Sequence, residues 1–133
     1  SSVTGVQTCA LPIFHVREKD KPSPRLEGVI AQNGEASYFY ALRILRGRFE
    51  RGELSISENP AWAVKYARFV IRKRFPMAEE KISRNSVCSY EYFRHVMKGE
   101  RLPEEMHRSM LLMSFEFPDD CYIKKYFSEA PPD

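Results

Sequence analysis

Residues that build disulfide frameworks, metal sites and phosphate-binding loops are scarce in this chain. Its 133 residues include three cysteines, three histidines and six glycines. The cysteines, at positions 9, 88 and 121, form no Cys-x-x-Cys pair and have no histidine at ligand spacing, which excludes a disulfide scaffold and the common zinc motifs. No glycine-rich phosphate loop is present. We therefore expect no cofactor, no metal and a reducing, cytoplasmic compartment.

Long apolar runs and a strong charge imbalance are also missing. The apolar stretches are short and interrupted by charged residues, so none is predicted to span a membrane. Lysine and arginine total 21 against 18 aspartates and glutamates, a net charge of +3, which is ordinary for a single domain. No Ser-His-Asp set and no His-Glu-x-x-His motif can be assembled. We expect no catalytic residue and no enzymatic activity.

The clearest element of the sequence is one helix, predicted from residues 59–75 (NPAWAVKYARFVIRKRF). Asn59 suits the N-cap, and Pro60 suits the first helical position, where its missing N–H costs nothing. An apolar stripe then recurs at helical spacing, formed by Ala63, Tyr66, Ala67, Val70 and Ile71. Pro76 ends this helix, because the residue before a proline is pushed out of helical dihedrals, and it begins a shorter helix through Ser83.

The same pattern returns every 26 residues along the chain. Three columns show this spacing: Tyr40, Tyr66 and Tyr92; Ile30, Ile56 and Ile82; Asn33, Asn59 and Asn85. A glutamate column continues it over four positions, 27, 53, 79 and 105. A period of this length is typical of stacked helical hairpins, none of which can bury its apolar face alone. Further helices are therefore predicted over 24–31, 33–49, 50–57, 85–99, 103–113 and 121–127.

The first thirteen residues do not follow the repeat. Residues 3–13 (VTGVQTCALPI) resemble the translation of a sequencing-library adapter, so we treat 1–13 as an artefact without a role in the fold. We expect an exposed lead-in over 14–23, one helical-repeat domain over 24–127 and a frayed tail over 128–133. The chain enters in the middle of a repeat, and we expect that its true N-terminus and further repeats are missing.

The tyrosine and glutamate columns are predicted to have different environments. The tyrosines lie in the apolar stripe, so we expect core packing rather than a platform for stacked bases. Each glutamate falls in the first turn of a short helix, where its charge complements the exposed N–H groups and the helix dipole. We therefore expect Glu27, Glu53 and Glu79 to be mostly exposed near helix starts, with structure favoured over metal binding or acid–base chemistry.

A cationic column offers the main candidate binding surface. Arg46, Arg72 and Lys98 recur at the repeat period, with Arg68 and Arg94 beside them. A line of cations could follow a phosphate backbone. The alternative, which we favour, is a solvated face near helix C-termini, where cations complement the dipole.

Several units resemble a repeat in uncharacterised proteins of tailed bacteriophages and their metagenomic relatives. They are YALRILRGRF (40–49), YARFVIRKRFPMAEEKIS (66–83) and YFRHVMKGERLPEE (92–105). The resemblance covers most of 24–127 and implies no catalytic residue. This chain departs from the pattern at Lys73, where glycine is usual, and at Glu50, where proline is usual.

The sequence thus predicts an all-α protein, a short α-solenoid of stacked helical hairpins with a C-terminal cap. We expect a non-enzymatic protein-interaction module of phage origin, with an unknown protein partner, no membrane association and a place in the host cytoplasm. The alternative is a weak, sequence-independent nucleic-acid-binding repeat that uses the cationic column.

Overall fold

The computed structural model describes residues 21–132, and these form an all-α protein without a strand. The fold class predicted from the sequence is therefore confirmed. The interpretations of residues 1–13 and of most of the lead-in over 14–23 lie outside the described residues. Among the helices described, none is long and apolar enough to cross a membrane.

Short and long helices alternate along the chain. The described residues form eight α-helices, numbered α1 to α8: Pro24–Ile30, Gly34–Phe39, Glu53–Ser57, Pro60–Lys65, Pro76–Ile82, Ser86–Glu91, Glu104–Glu116 and Cys121–Glu129. Three π-helical segments continue α2, α4 and α6, namely π1 (Tyr40–Leu45), π2 (Tyr66–Ile71) and π3 (Tyr92–Val96). A 3₁₀ turn at Glu50–Gly52 precedes α3.

The start of each long helix follows from its asparagine. The side-chain oxygens of Asn33 and Asn85 accept hydrogen bonds from the backbone N–H groups of Ala36 and Cys88, at 2.8 and 2.9 Å. Asn59 accepts from the N–H of Ala61 at 3.0 Å, and Pro60 takes the first helical position. These bonds satisfy N–H groups that lack a partner inside the helix. The N-caps predicted from the repeat are confirmed.

The long helices end earlier than the sequence predicts. The predicted ends were Phe49 and Phe75, whereas π1 ends at Leu45 and π2 at Ile71. The next residue, Arg46 or Arg72, adopts the left-handed conformation, with φ of 55° or 54°. A left-handed residue stops a helix and turns the chain away. Glycine usually occupies such a position, so the arginines gave no sequence signal that the helix ends there.

Successive units pack through like elements. Each long helix contacts the next one, as α2 contacts α4 and α4 contacts α6, and the short helices do the same, as α3 contacts α5 and α5 contacts α7. Their buried apolar side chains form one cluster, which includes Tyr40, Tyr66, Tyr92, Ile30, Ile56 and Ile82, all with zero exposure. The prediction that the tyrosine column is core is confirmed.

The last unit differs from the others. Helix α7 spans 13 residues, and α8 packs along α6. Tyr126 of α8 is fully buried and contacts Phe93, with ring centroids 4.9 Å apart. Helix α8 continues through Glu129, two residues beyond the predicted end at Phe127.

Candidate functional site

Two of the glutamates belong to hydrogen-bonded triads. The prediction that Glu27, Glu53 and Glu79 are mostly exposed is wrong, because Glu53 is buried and Glu27 and Glu79 are half-buried, with 16% and 12% of their side chains exposed. Glu53 is only 3% exposed. Its carboxylate accepts two hydrogen bonds from Arg48, both at 2.9 Å, and one from the Tyr66 hydroxyl at 2.6 Å. The triads begin near helix starts as expected, but the tyrosine of the following unit covers the carboxylate.

The second triad repeats this geometry one period later. The Glu79 carboxylate accepts two bonds from Arg74, both at 2.8 Å, and one from the Tyr92 hydroxyl at 2.6 Å. Tyr92 in turn accepts a bond from the backbone N–H of Phe75 at 2.8 Å. A two-pronged arginine contact and a hydroxyl together satisfy both carboxylate oxygens.

The electrostatics of the triads oppose acid–base catalysis near neutral pH. Burial raises the pKa of Glu53 and Glu79, but the hydrogen bonds from the arginine and tyrosine outweigh burial and hold each pKa below its usual value. Burial, followed by the hydrogen bond to the carboxylate, raises the pKa of Tyr66 and Tyr92. A carboxylate of lowered pKa is a poor base, and its oxygens are already occupied. The triads are structural ties between units.

The first and last units vary the triad. In the first, the Tyr40 hydroxyl donates to Glu27 at 2.7 Å, and the cation is Arg51, at 3.5 Å from Glu27. Burial raises the pKa of Tyr40 to about 12. In the last, the fourth glutamate of the column, Glu105, is exposed, and the Tyr126 hydroxyl bonds instead to Nδ1 of His107 at 2.6 Å.

Most of the predicted cationic surface lines a single groove. The groove has a volume of about 850 Å³ and lies where π2, π3 and the end of α8 meet. We call it the cationic groove, lined by Arg68, Phe69, Arg72, Phe93, Arg94, His95, Lys98, Gly99 and Glu129. Four of the five predicted binding residues are therefore brought together. The fifth, Arg46, does not line the groove, although it has the same backbone position one unit earlier.

The three cations of the predicted column occupy strained backbone positions. Arg46, Arg72 and Lys98 have φ values of 55°, 54° and 55°, and they are the non-glycine residues of positive φ among residues 21–132. This conformation costs an L-amino acid about 1–2 kcal/mol, and glycine avoids the cost. The long helix ends at these residues, so each cation lies at the negative end of a helix dipole. At Arg72 and Lys98, the dipole and the strain both act on residues that line the cationic groove.

The groove combines an apolar centre with a charged rim. The Phe69 side chain is 42% exposed, and the Arg68 guanidinium lies over its ring at 4.6 Å from the centroid. Phe93 is buried beneath and is fixed by Tyr126. An exposed aromatic ring on a packed floor offers apolar contact area at little cost in side-chain entropy.

Most of the positive charge of the groove is not neutralised. Arg94 pairs with Glu129 at 3.3 Å, and Glu129 also accepts a bond from the Tyr90 hydroxyl at 2.8 Å. Within residues 21–132, no carboxylate forms an ion pair with Arg68, Arg72 or Lys98. The groove therefore presents three unpaired cations to an incoming anion.

Sequence reasoning missed five of the nine groove residues: Phe69, Phe93, His95, Gly99 and Glu129. The sequence could have predicted that Phe69 is exposed, because it lies outside the apolar stripe of its helix and follows Arg68. His95 pairs with Glu91 at 3.2 Å, one helical turn away. It belongs to no column of the 26-residue repeat, so the sequence did not single it out. Glu129 fell in the expected tail, and only the packing of α8 along α6 brings it to Arg94.

Metal binding and similarity to known proteins add no further candidate. Within the described part of the chain, no group of histidine, cysteine, aspartate and glutamate side chains is arranged to hold a metal ion. Compared with protein-family models, with curated proteins and with solved structures, the chain shows no match.

Proposed function

We propose that the chain is a non-enzymatic, α-solenoid protein-interaction module, and that its cationic groove binds an acidic, aromatic-containing segment of a protein partner. The observation that carries the proposal is the groove, which Arg68, Arg72, Arg94 and Lys98 line together with the exposed Phe69. A central aromatic anchor inside a polar, charged rim is the usual anatomy of a protein interface. The unpaired cations supply charge complementarity to carboxylates.

The rigidity of the scaffold supports this proposal. Groove residues are attached to packed helices rather than to long loops, and Phe75, just beyond π2, donates its N–H to Tyr92 of π3. Binding residues held on packed elements lose little conformational freedom when a partner binds. Stacked units that contact mainly their neighbours are also the architecture in which α-solenoids present such surfaces.

An acidic protein segment fits the groove better than a nucleic acid does. Arg68 covers one face of the Phe69 ring, which leaves at most one face for a base. The Glu129 carboxylate stands among the cations and opposes a continuous phosphate backbone. Three phosphate contacts would also give only a shallow salt dependence, near −0.9 per contact.

The proposal is tested with a labelled peptide that alternates glutamate and phenylalanine. We expect the full chain to bind it in anisotropy titrations at about 0.15 M salt, and to bind the glutamine-for-glutamate version about tenfold more weakly. The double variant Arg72→Glu, Lys98→Glu should lose binding, whereas Arg25→Glu on α1 should keep it. Equal binding of the two peptides, or no effect of the groove variant, would contradict the proposal.

Nucleic acid is the competing outcome of the same titration. Sub-micromolar binding of an oligonucleotide that is lost in the triple variant Arg46→Ala, Arg72→Ala, Lys98→Ala would replace the protein-binding proposal. A phage origin, suggested by the sequence resemblance, is part of this proposal as well. It predicts that the gene lies among genes of tailed phages.

A further inference from the structure

The connection between α7 and α8 exposes an unusual amount of apolar surface. Phe115 is 76% exposed and Phe117 is 52% exposed. Leu111 and Leu112, one turn earlier on α7, are exposed as well. We call residues 115–119 the acidic turn, which consists of Phe115, Glu116, Phe117, Pro118 and Asp119. Clustered exposed aromatic residues of this kind mark contact surfaces rather than ordinary solvent-facing turns.

The acidic turn has the chemistry that the cationic groove is suited to bind. Its aromatic rings alternate with the carboxylates of Glu116 and Asp119, and the Asp119 side chain is fully exposed. Lys124 lies 3.7 Å from Asp119, a solvent-exposed pair that contributes little. For Glu116, the described residues provide no cation at ion-pair distance. The groove offers the complement, three unpaired cations around Phe69.

The turn of one molecule does not lie near its own groove. Asp120, which follows the turn, accepts a 2.8 Å bond from the Ser86 hydroxyl at the start of α6, and Phe117 lines a shallow depression with Val87. The groove lies at the other end of the same long helix, at Lys98. Twelve residues of helix at 1.5 Å per residue separate the two ends by roughly 18 Å. The turn is also anchored by the N-cap bonds of Asp120 to α8.

We infer that the acidic turn of a second copy of this chain occupies the cationic groove. Phe117 of one copy packs on Phe69 of the other, and the turn carboxylates pair with the groove cations. This inference rests on the proposed function, because it names the partner of the same groove. The contact joins two different surfaces, so a dimer keeps one free turn on one copy and one free groove on the other, and association continues head to tail.

The test uses two variants that each destroy one surface. The groove variant is Arg72→Glu, Lys98→Glu, and the turn variant is Phe117→Ser, Asp119→Asn; the substituted side chains are exposed. In sedimentation velocity, we expect the unaltered chain to form species that grow with concentration. Each variant alone should associate at least about tenfold more weakly, because the groove variant replaces attraction by repulsion and the turn variant loses its aromatic contact and one carboxylate.

Mixing the two variants gives the decisive measurement. The groove variant keeps an intact turn and the turn variant keeps an intact groove, so an equal mixture should form dimers that do not grow further. A pairing of two apolar α7 faces would instead survive in the groove variant, which would overturn the inference. Absence of association in the unaltered chain, or absence of dimers in the mixture of folded variants, would overturn it too.

The peptide titration separates this inference from the function on which it rests. If the glutamate–phenylalanine peptide binds the groove but the chain does not self-associate, the groove serves another acidic protein and only the self-association fails. If neither occurs, the proposed function fails as well. Far-ultraviolet circular dichroism melts of both variants establish that they are folded before either conclusion is drawn.

Discussion

The Tyr66 hydroxyl donates a 2.6 Å hydrogen bond to the Glu53 carboxylate and accepts a 2.9 Å bond from the backbone N–H of Phe49. Tyr66 therefore joins its own long helix to both the short helix and the loop that precede it. The hydroxyl has both its donor and its acceptor capacity used in a buried position. Its removal leaves the Phe49 N–H without a partner and takes one of two hydrogen bonds from Oε2 of Glu53, which still accepts from Arg48.

Removal of that oxygen provides the first prediction. Tyr66→Phe keeps the ring packing against Phe75 but leaves the Phe49 N–H unsatisfied and removes one of the three hydrogen bonds to the Glu53 carboxylate. Hydrogen bonds to charged groups contribute about 1.5–3 kcal/mol, so we expect the free energy of unfolding to fall by about that amount in urea titrations. Tyr66→Ala should cost more, roughly 3–5 kcal/mol, because it also leaves a cavity.

Tyr122→Phe is the matched control for this substitution. The Tyr122 ring packs against Tyr90, but its hydroxyl forms no hydrogen bond with the described residues. Its removal should change the free energy of unfolding by less than about 0.5 kcal/mol. Equal effects of the two substitutions would mean that the triad hydrogen bond contributes nothing to stability.

Acid titration of Glu53 and Glu79, the glutamates of the two triads, provides the second prediction. Burial raises the pKa of Glu53 and Glu79, but the arginine and tyrosine bonds lower it below the ordinary value of 4.5. Their stabilisation is therefore complete above about pH 4.5 and is lost as pH falls through the lower folded-state pKa. We expect urea titrations between about pH 5 and pH 3 to show a steep loss of stability.

The control removes the charge and keeps the shape. In the double variant Glu53→Gln, Glu79→Gln, stability should be lower at pH 5 and should change less between pH 5 and pH 3. An unchanged slope in this variant would assign the acid sensitivity to other carboxylates.

The histidine of the last unit provides the third prediction, in a separate pH range. The Tyr126 hydroxyl accepts the Leu102 N–H and lies 2.6 Å from Nδ1 of His107, to which it donates in the tautomer that carries the ring proton on Nε2. Burial, followed by the nearby charge of Arg101, lowers the pKa of His107 below 6.5. Stability is therefore complete above pH 6.5 and falls as pH drops through the lower folded-state pKa, because protonation of Nδ1 removes the acceptor.

His107→Gln tests this relationship, because an amide oxygen can accept the hydroxyl proton and does not titrate. The unaltered chain should lose melting temperature between about pH 7 and pH 5, and the variant should lose less. A parallel loss in both proteins would show that His107 does not carry the effect.

The sequence predicts the repeating framework well because its signals are local. Asparagine N-caps and a buried tyrosine recur in each unit, and both depend on residues within the same helix. The exposure of Glu53 could not be predicted in this way. Its burial depends on Tyr66, 13 residues later and in the next unit, whose ring covers the carboxylate.

The helix ends and the groove were predicted less well for related reasons. The left-handed residues Arg46 and Arg72 carry no glycine signal, and the following Pro76 suggested a longer helix. The three π-helical segments had no sequence signature either. The 26-residue spacing of Arg46, Arg72 and Lys98 predicted the cationic column. The presence of Phe69 and Glu129 in the cationic groove could not be predicted, because it depends on how π2, π3 and α8 pack together.

The fourth prediction separates stability from binding at one residue. Arg72 is exposed and has φ of 54°, a conformation that glycine adopts without steric cost. Glycine relieves that strain, but a glycine also gives the unfolded chain more conformational entropy, which offsets part of the gain. The free energy of unfolding of Arg72→Gly should therefore rise by about 0.5–1 kcal/mol. The same change removes a groove cation, so affinity for the glutamate–phenylalanine peptide should fall.

Arg46→Gly is the matched control, because it relieves the same strain outside the groove and should gain stability while binding the peptide normally. A loss of stability in both glycine variants would show that the left-handed conformation carries no cost here, and an unchanged peptide affinity in Arg72→Gly would remove this arginine from the binding surface.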